Sequence, residues 1–517
     1  MSIESTKPAL PQFPKSLWLS TAHIDSYPKL DKDLQVDVTV VGAGITGMTT
    51  AYLLATKGLK VALLDAGRIY HGTTGHTTAK ITAQHNLVYD EFISHFGMEN
   101  ARLYYEANHE ALQWVKQLVA EHHIACQLKE EDAYIYTGSE SGVKKIMDEC
   151  SAYDKLGIPG GLAEHVPLPY ETRAAVVMRK QAQFDPIPFL NHLKEHFLRL
   201  GGQLFEQTTV TGMEKGPPAV VKTSDGFRVT SPYVIVCSHF PCIDKGGFYF
   251  ARLHAERSYA LAARTGKKLA GGMYLSSDNP ARSLRTVTAN GEELLLIGGE
   301  GHKTGQGICT FQYYEKLREF GAEHFDLQEV VYHWSAQDLF TLDKLPYIGK
   351  ELKDQPHILL ATGFKKWGMT TSVAAALLNA RLVTGESSPY EELFSPSRFH
   401  ADPDIKTFVV QNADVAKHLI AGKVDIVHRK AEELAPDEGA VVRVNGRRAG
   451  AYRDAAGELH VVDTTCTHMG CEVEWNEAER TWDCPCHGSR FAYNGDVMEG
   501  PAKKPLSQVN MASAQNK

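Results

Sequence analysis

Apolar residues recur along this chain with two different periods. Val36, Val38, Val40 and Val41 form a short β-branched run that predicts a buried parallel strand. A glycine-rich turn follows, and Met48 to Lys57 then read as a helix that stops at Gly58. Leu59 to Leu64 predict a second strand with Asp65 at its end. Met98 to His122 is a long helical stretch. Its Leu103, Tyr104, Ala107, Ala111, Trp114, Val115 and Leu118 share one face, a stripe suited to core packing. Val210 falls in a further strand, and Tyr233 to Ser238 in a strand running into a turn. Between 246 and 324 the pattern becomes strands: Ser258 to Ala263, Met273 to Ser276, Leu284 to Ala289 and Leu294 to Ile297. Ile358 to Gly363 is a late strand and turn that opens an apolar helix from Thr370 to Leu382.

At 517 residues the chain is too long for one compact core. Residues 1–34 read as a polar, proline-dotted arm, and 391–423 as a linker with one short helix near Ala413 to Ala421. A net charge of −8 argues against a nucleic-acid partner. No apolar run is long enough for a transmembrane anchor, and the N-terminus lacks a secretion signal, so a cytoplasmic protein is expected. Nine cysteines do not make a disulfide scaffold, but four of them fall between Cys466 and Cys486.

That group forms two boxes, Cys466-Thr467-His468-Met469-Gly470-Cys471 and Cys484-Pro485-Cys486-His487-Gly488-Ser489. One cysteine and one histidine from each box suit a two-iron cluster, with thiolates on one iron and imidazoles on the other. A structural zinc site uses the same residue types. The sequence between and after the boxes closely resembles the Rieske family from about Val424 to the C-terminus. The resemblance implies Cys466, His468, Cys484 and His487 as ligands and a disulfide between Cys471 and Cys486. It also matches Gly500-Pro501-Ala502 to the loop that shields the cluster, and Ser489 to a serine that bonds a cluster sulfide. Phe491 stands where the respiratory members carry a tyrosine, which implies a lower potential than theirs.

The turn near the N-terminus is Gly42-Ala43-Gly44-Ile45-Thr46-Gly47. It follows a strand, opens a helix, and has Asp65 18 residues after its last glycine, the setting of a dinucleotide fingerprint. Its glycines let a pyrophosphate approach the helix N-terminus, and Asp65 suits the ribose hydroxyls. The fingerprint alone does not separate NAD from FAD. The hydroxyl-rich loop Thr73 to Thr78, the strand at Tyr233 and the late turn Gly363 to Gly368 favour FAD, the last by presenting a helix N-terminus to the flavin. Together these pieces resemble the D-amino-acid oxidase, glycine oxidase and sarcosine oxidase superfamily, and the combination resembles bacterial FAD-dependent oxidoreductases with a C-terminal Rieske domain. The implied fold class is α/β (α+β): a Rossmann-type FAD-binding domain with an inserted substrate sheet, then an all-β Rieske domain. The expected boundaries are 35–390 for the oxidoreductase and 424–517 for the Rieske domain. Within the former, 35–90, 165–245 and 325–390 are assigned to FAD binding, and 91–164 and 246–324 to the substrate part. Expected FAD contacts are Gly42, Ala43, Gly44, Ile45, Thr46, Gly47, Asp65, Thr74, Gly75, His76, Thr77, Val210, Gly363, Phe364, Lys365, Trp367, Gly368 and Met369. The late loop has no cysteine where sarcosine oxidases attach their flavin, so non-covalent FAD is expected.

An amine or amino-acid-like substrate follows from this resemblance. A carboxylate would call for an arginine anchor. Arg252, Arg257, Arg282 and Arg285 are candidates; Arg257, beside Tyr259 on a predicted strand, is taken first, although an arginine in such a place is more often an ordinary surface residue. His76, His239 and His302 are candidates near the flavin, and Lys365 and Lys366 for its pyrimidine edge. Cys126, Cys150, Cys237, Cys242 and Cys309 read as packed thiols. Pairing FAD with a one-electron cluster points to a dehydrogenase that relays electrons to an external acceptor, a protein or a quinone, with the histidine ligands facing solvent. Inward electron flow from a redox carrier, or a non-enzymatic sensor or carrier, uses the same cofactors.

Overall fold

The computed structural model describes residues 10–11, 13–243, 246–306, 310–421 and 429–510. Cys309, the first nine residues of the N-terminal arm, and residues 422–428 at the junction of linker and Rieske domain lie outside the described residues.

Three sheets build the first four-fifths of the chain: a small four-stranded one of Leu34–Gln35, Arg228–Ser231, Ala219–Thr223 and Val210–Glu214, and two larger ones. The smaller of these two is six-stranded, in the order Tyr347–Lys350, Ile358–Thr362, Tyr233–Val236, Val38–Val41, Val61–Leu64, Gln203–Phe205. All of its pairings are parallel except the antiparallel edge at Tyr347. Val38–Val41, Val61–Leu64 and Ile358–Thr362 are buried at every position, as a parallel sheet covered on both faces requires. The fingerprint helix Ile45–Thr56 packs on the helices Gly368–Thr384 and Pro186–Arg199. Ala374, Ala375 and Ala376 of the late helix are all buried and allow that close approach.

The larger sheet has nine strands and is mostly antiparallel. It runs from Leu327–Thr341 through Leu253–Thr265, Glu292–Lys303, Arg282–Ala289, Met273–Ser276 and Lys129–Thr137 to Ala174–Gln183 and Lys80–Ile81, with Gly160–Leu162 also paired to Ala174–Gln183. Segments 165–245 and 325–390 are thus divided between the sheets, because Ala174–Gln183 and Leu327–Thr341 pair in the larger one. Both strands are long and largely buried, a pattern that does not name the sheet they join.

Two helices are longer than their patterns predict. Tyr89–His122 begins nine residues early and carries a break at Gly97, where φ is 81°. Ala401–Ala421 absorbs most of the segment read as linker, since Pro403 falls in its first turn, where proline is tolerated. Among the described residues no helix is long and apolar enough to cross a membrane.

The C-terminal region is all β. A three-stranded sheet spans Glu438–Val444, Arg447–Arg453 and Leu459–Val462; a four-stranded one spans Glu474–Asn476, Thr481–Asp483, Arg490–Ala492 and Val497–Glu499. Trp482 and Phe491 are fully buried beneath the cysteine boxes.

Candidate functional site: one cavity between two redox modules

The fingerprint turn owes its shape to its glycines. Gly42 has φ of 101°, and a Cβ there would lie 2.6 Å from the carbonyl oxygen of Cys237. A Cβ on Gly47 would collide with the carbonyl oxygen of Gly42. Asp65 fastens the turn, accepting from the Ala43 amide at 2.7 Å and the Gly67 amide at 2.8 Å. Burial pushes its carboxyl up while those amides pull it down. Thr74 reaches over and accepts from the Ile45 amide at 3.0 Å.

These elements open onto a cavity of about 1260 Å³, more than the ~300–1,000 Å³ usual for a small-ligand site. Of the expected FAD contacts, Gly42, Gly44, Ile45, Thr46, Asp65, Thr74, His76, Thr77, Val210, Phe364, Lys365, Trp367, Gly368 and Met369 line it. Ala43, Gly47, Gly75 and Gly363 do not, and support the turns from behind. Two helix N-termini, at Ile45 and Gly368, therefore face one space. Their partial positive charge suits a pyrophosphate and an electron-rich ring. Glycine cradle, acidic residue, paired helix ends and volume all fit FAD. Cys237 also lines the cavity, but burial pushes its thiol up to about 12, so it is held protonated.

The iron–sulfur boxes form two equivalent turns. The Cys466 amide donates to the Cys471 carbonyl and the Cys484 amide to the Ser489 carbonyl, both at 2.8 Å. Gly470 and Gly488, each four residues beyond the first cysteine of its box, both adopt φ of 77°. A disulfide joins Cys471 to Cys486, while Cys466 and Cys484 are buried free thiols. The latter two sulfurs share a hydrogen bond that lowers the Cys466 thiol below its ordinary value. The imidazoles of His468 and His487 meet perpendicularly, with ring centroids 5.1 Å apart. Nδ1 of His468 is buried with no hydrogen-bond partner. Two thiols and two imidazoles, one nitrogen unsatisfied, fit a [2Fe-2S] centre of mixed ligation. Ser489 is fully buried and accepts from the Ala502 amide at 3.0 Å.

The two modules are in contact. His487 lies 5.9 Å, and His468 6.3 Å, from the ring of Phe250; Phe240 lies 6.4 Å from His468. The imidazoles thus face aromatic residues of the oxidoreductase part, not the solvent-facing position read from the sequence. Gln337 donates from Nε2 to the Gly488 carbonyl at 2.9 Å, and a Cβ on Gly488 would collide with Ala255. Segment 496–503 and the fingerprint line the same cavity.

The arginine candidates are engaged elsewhere. Arg257 is 0% exposed, donates to Ser335 Oγ at 2.7 Å and pairs with Glu499 of the C-terminal region at 3.6 Å. Arg285 donates to the Ala79 carbonyl, Arg282 pairs with Glu300 at 2.7 Å, and Arg252 donates to the Pro396 carbonyl. None of the four lines the cavity. Tyr259 does, with its hydroxyl 3.0 Å from His302 Nε2, while His302 itself lies behind it. His76 and His239 also line it, and burial pushes both imidazoles below their ordinary value.

Two further acids line the cavity that no sequence motif marks. Asp338 and Glu256 are register partners on neighbouring strands, and both line it. Asp338 is 9% exposed, and burial pushes its carboxyl up to about 7. Lys366 Nζ lies 3.8 Å from Glu256. Burial, reinforced by Lys344, pushes Lys365 down to about 7. Nothing local in the sequence marks which carboxylates face a cavity.

Both parts of the chain resemble known proteins. Residues 37–382 match the FAD dependent oxidoreductase family, and residues 425–510 match the Rieske [2Fe-2S] domain. The Bacillus subtilis (strain 168) protein YhfW, named as a Rieske 2Fe-2S iron-sulfur protein, is 49% identical over 96% of this chain and 98% of its own length. Gamma-glutamylputrescine oxidoreductase of Escherichia coli (strain K12) is 23% identical, over 71% of this chain and 87% of its own. Glycine oxidase from Geobacillus kaustophilus superposes with a TM-score of 0.60 at 19% identity, covering 71% of this chain and 99% of that one. The chain belongs to the FAD dependent oxidoreductase family and carries a C-terminal Rieske domain, so that its cofactors are FAD and a [2Fe-2S] cluster.

Proposed function

We propose that the protein is an amine dehydrogenase that oxidises its substrate at non-covalently held FAD and passes electrons through the Rieske cluster to an external one-electron acceptor. The observation that carries this reading is the single cavity lined by both the dinucleotide fingerprint and segment 496–503 of the Rieske region. Cys466, His468, Cys484 and His487 are the proposed cluster ligands. The fingerprint, Asp65 and the N-terminus of the helix Gly368–Thr384 are the proposed FAD cradle. FAD supplies a two-electron acceptor, and the cluster a one-electron outlet.

The substrate is inferred to be an amine recognised as a cation. Its candidate site offers Asp338 and Glu256, while Arg252, Arg257, Arg282 and Arg285 do not line the cavity; of the lining arginines, Arg490 is paired with Glu499 and Arg480 with Asp437. The E. coli relative is named for an amine, a γ-glutamylated putrescine. An amine loses its hydride only after losing its ammonium proton. A carboxylate held near 7 accepts such a proton at neutral pH, and Asp338 is the proposed acceptor. Leu275 and Phe340, also in the lining, offer apolar surface to an alkyl chain. His468 and His487 pack on Phe240 and Phe250, which supports electron entry to the cluster from the flavin side.

Anaerobic rapid mixing with polyamines, N-methyl amino acids and D-amino acids tests this. Flavin bleaching followed by the EPR signal of a reduced Rieske cluster is the expected result, with polyamine-type substrates most effective. Flavin reduction that never reaches the cluster overturns the relay. Reduction by amino acids alone overturns the substrate class.

A further inference from the structure

A cluster of three histidines lies apart from both cofactor sites. His122 is the last residue of the helix Tyr89–His122. His192 and His196 stand four residues apart in the helix Pro186–Arg199, which puts them on one face, a turn apart. Ring centroids are 4.9 Å apart for His122 and His192, 5.1 Å for His122 and His196, and 4.3 Å for His192 and His196. One ring nitrogen from each lies within 4.8 Å of the other two. None of the three lines the cavity.

Three imidazoles this close repel one another once protonated. Burial lowers both His192 and His196 below the ordinary value, helped by the neighbouring imidazoles at His192 and by Arg199 and His122 at His196, so the neutral, metal-binding form is favoured. Nε2 of His192 is shut off from solvent and has no hydrogen-bond partner. A buried nitrogen without a partner is a cost that a bound ligand removes. Tyr52 meets His196 edge-on at 6.3 Å, while His122 is exposed, leaving water access on its side.

We propose that His122, His192 and His196 bind one divalent transition-metal ion of the zinc type, with water in the fourth position. Neutral imidazole nitrogens suit such an ion, whereas calcium and magnesium call for oxygen ligands. The ion links the end of one helix to the middle of another, so binding stabilises the fold by mass action. It is a clasp on the outside of the oxidoreductase part, and its existence is independent of the substrate.

The test uses the holoprotein with FAD and cluster, stripped of loose metal with EDTA and desalted. Calorimetric titration with zinc chloride is expected to show one tight equivalent and a raised Tm, and cobalt chloride to give the visible bands of a four-coordinate site. His192→Ala and His196→Ala, with flavin and cluster absorbance intact, are expected to lose that equivalent. The loss in affinity should be at least the roughly 10–100-fold that follows loss of a supporting contact. His122→Ala removes an exposed helix-end ligand without touching the core and should weaken binding similarly, while exposed His165→Ala should not. Equal zinc binding and equal Tm shifts in the parent and all three cluster variants, or no tight equivalent in the parent, overturn the proposal.

Discussion

Replacing Arg257 by methionine separates two roles for that residue. The sequence offers it as an anchor for a substrate carboxylate; the structure makes it a buried tie between modules. Glu499 is 26% exposed at its side chain and lies between Arg490 at 2.6 Å and Arg257 at 3.6 Å. Against the upward push of burial, these cations hold its carboxyl at about 2, below its ordinary 4.5. That depression corresponds to about 3 kcal/mol at neutral pH, with the nearer Arg490 responsible for the larger part. Arg257→Met removes the smaller part and leaves Ser335 Oγ without its donor, a further ~1 kcal/mol. A net loss of about 2 kcal/mol is expected. Because the Glu499 value is depressed in the fold, its contribution is present above the unfolded value near 4.5 and fades as pH falls toward 2. The gap between variant and parent should therefore narrow in acid to the ~1 kcal/mol of the lost Ser335 contact. The assay is thermal loss of the cluster's visible circular dichroism, with stopped-flow reduction of flavin and cluster read in parallel. A lower transition at pH 7, normal flavin reduction and slowed cluster reduction are expected. An unchanged transition with KM for a carboxylate-bearing amine raised roughly 10–100-fold, the effect of losing one charged hydrogen bond, refutes the reasoning.

Asp338→Asn should abolish the dependence of flavin reduction on a group titrating near 7, leaving a slow, flat pH profile in rapid mixing. Its folded value is raised, so ionising it costs stability as pH climbs from the unfolded value toward 7; the variant should melt higher than the parent by more at pH 8 than at pH 5, and the reverse order counts against a buried acid. Replacing Cys471 and Cys486 together with alanine opens a crosslink between residues 15 apart. It should destabilise the cluster loops by about 3 kcal/mol, read as faster loss of the cluster signal on heating with flavin absorbance unchanged.

What the sequence makes legible here is local chemistry. Gly42, Gly44, Gly47 and Asp65 act within one strand–turn–helix unit, so their spacing alone implies the turn that the structure contains. The two cysteine boxes are likewise self-contained, down to the paired left-handed glycines at Gly470 and Gly488. The arginines fail for the opposite reason. Arg257 and Glu499 are 242 residues apart in the chain, and a guanidinium looks the same in a sequence whether it meets a substrate or another module. The same holds for Asp338, one position beyond Gln337 in the same strand. Gln337 and Asp338 both line the cavity, and Gln337 also donates to the Gly488 carbonyl. Successive side chains of a strand leave on opposite faces, so neighbouring positions take different partners. The sheet sets those partners only once Leu253–Thr265 and Leu327–Thr341 pair in register, with Glu256 opposite Asp338 and Arg257 opposite Gln337. This pair of strands therefore carries cavity acids and inter-module contacts side by side. A one-residue slip would take Arg257 and Gln337 off their contacts with Glu499 and Gly488, and so the register of these strands helps to hold the C-terminal region in place.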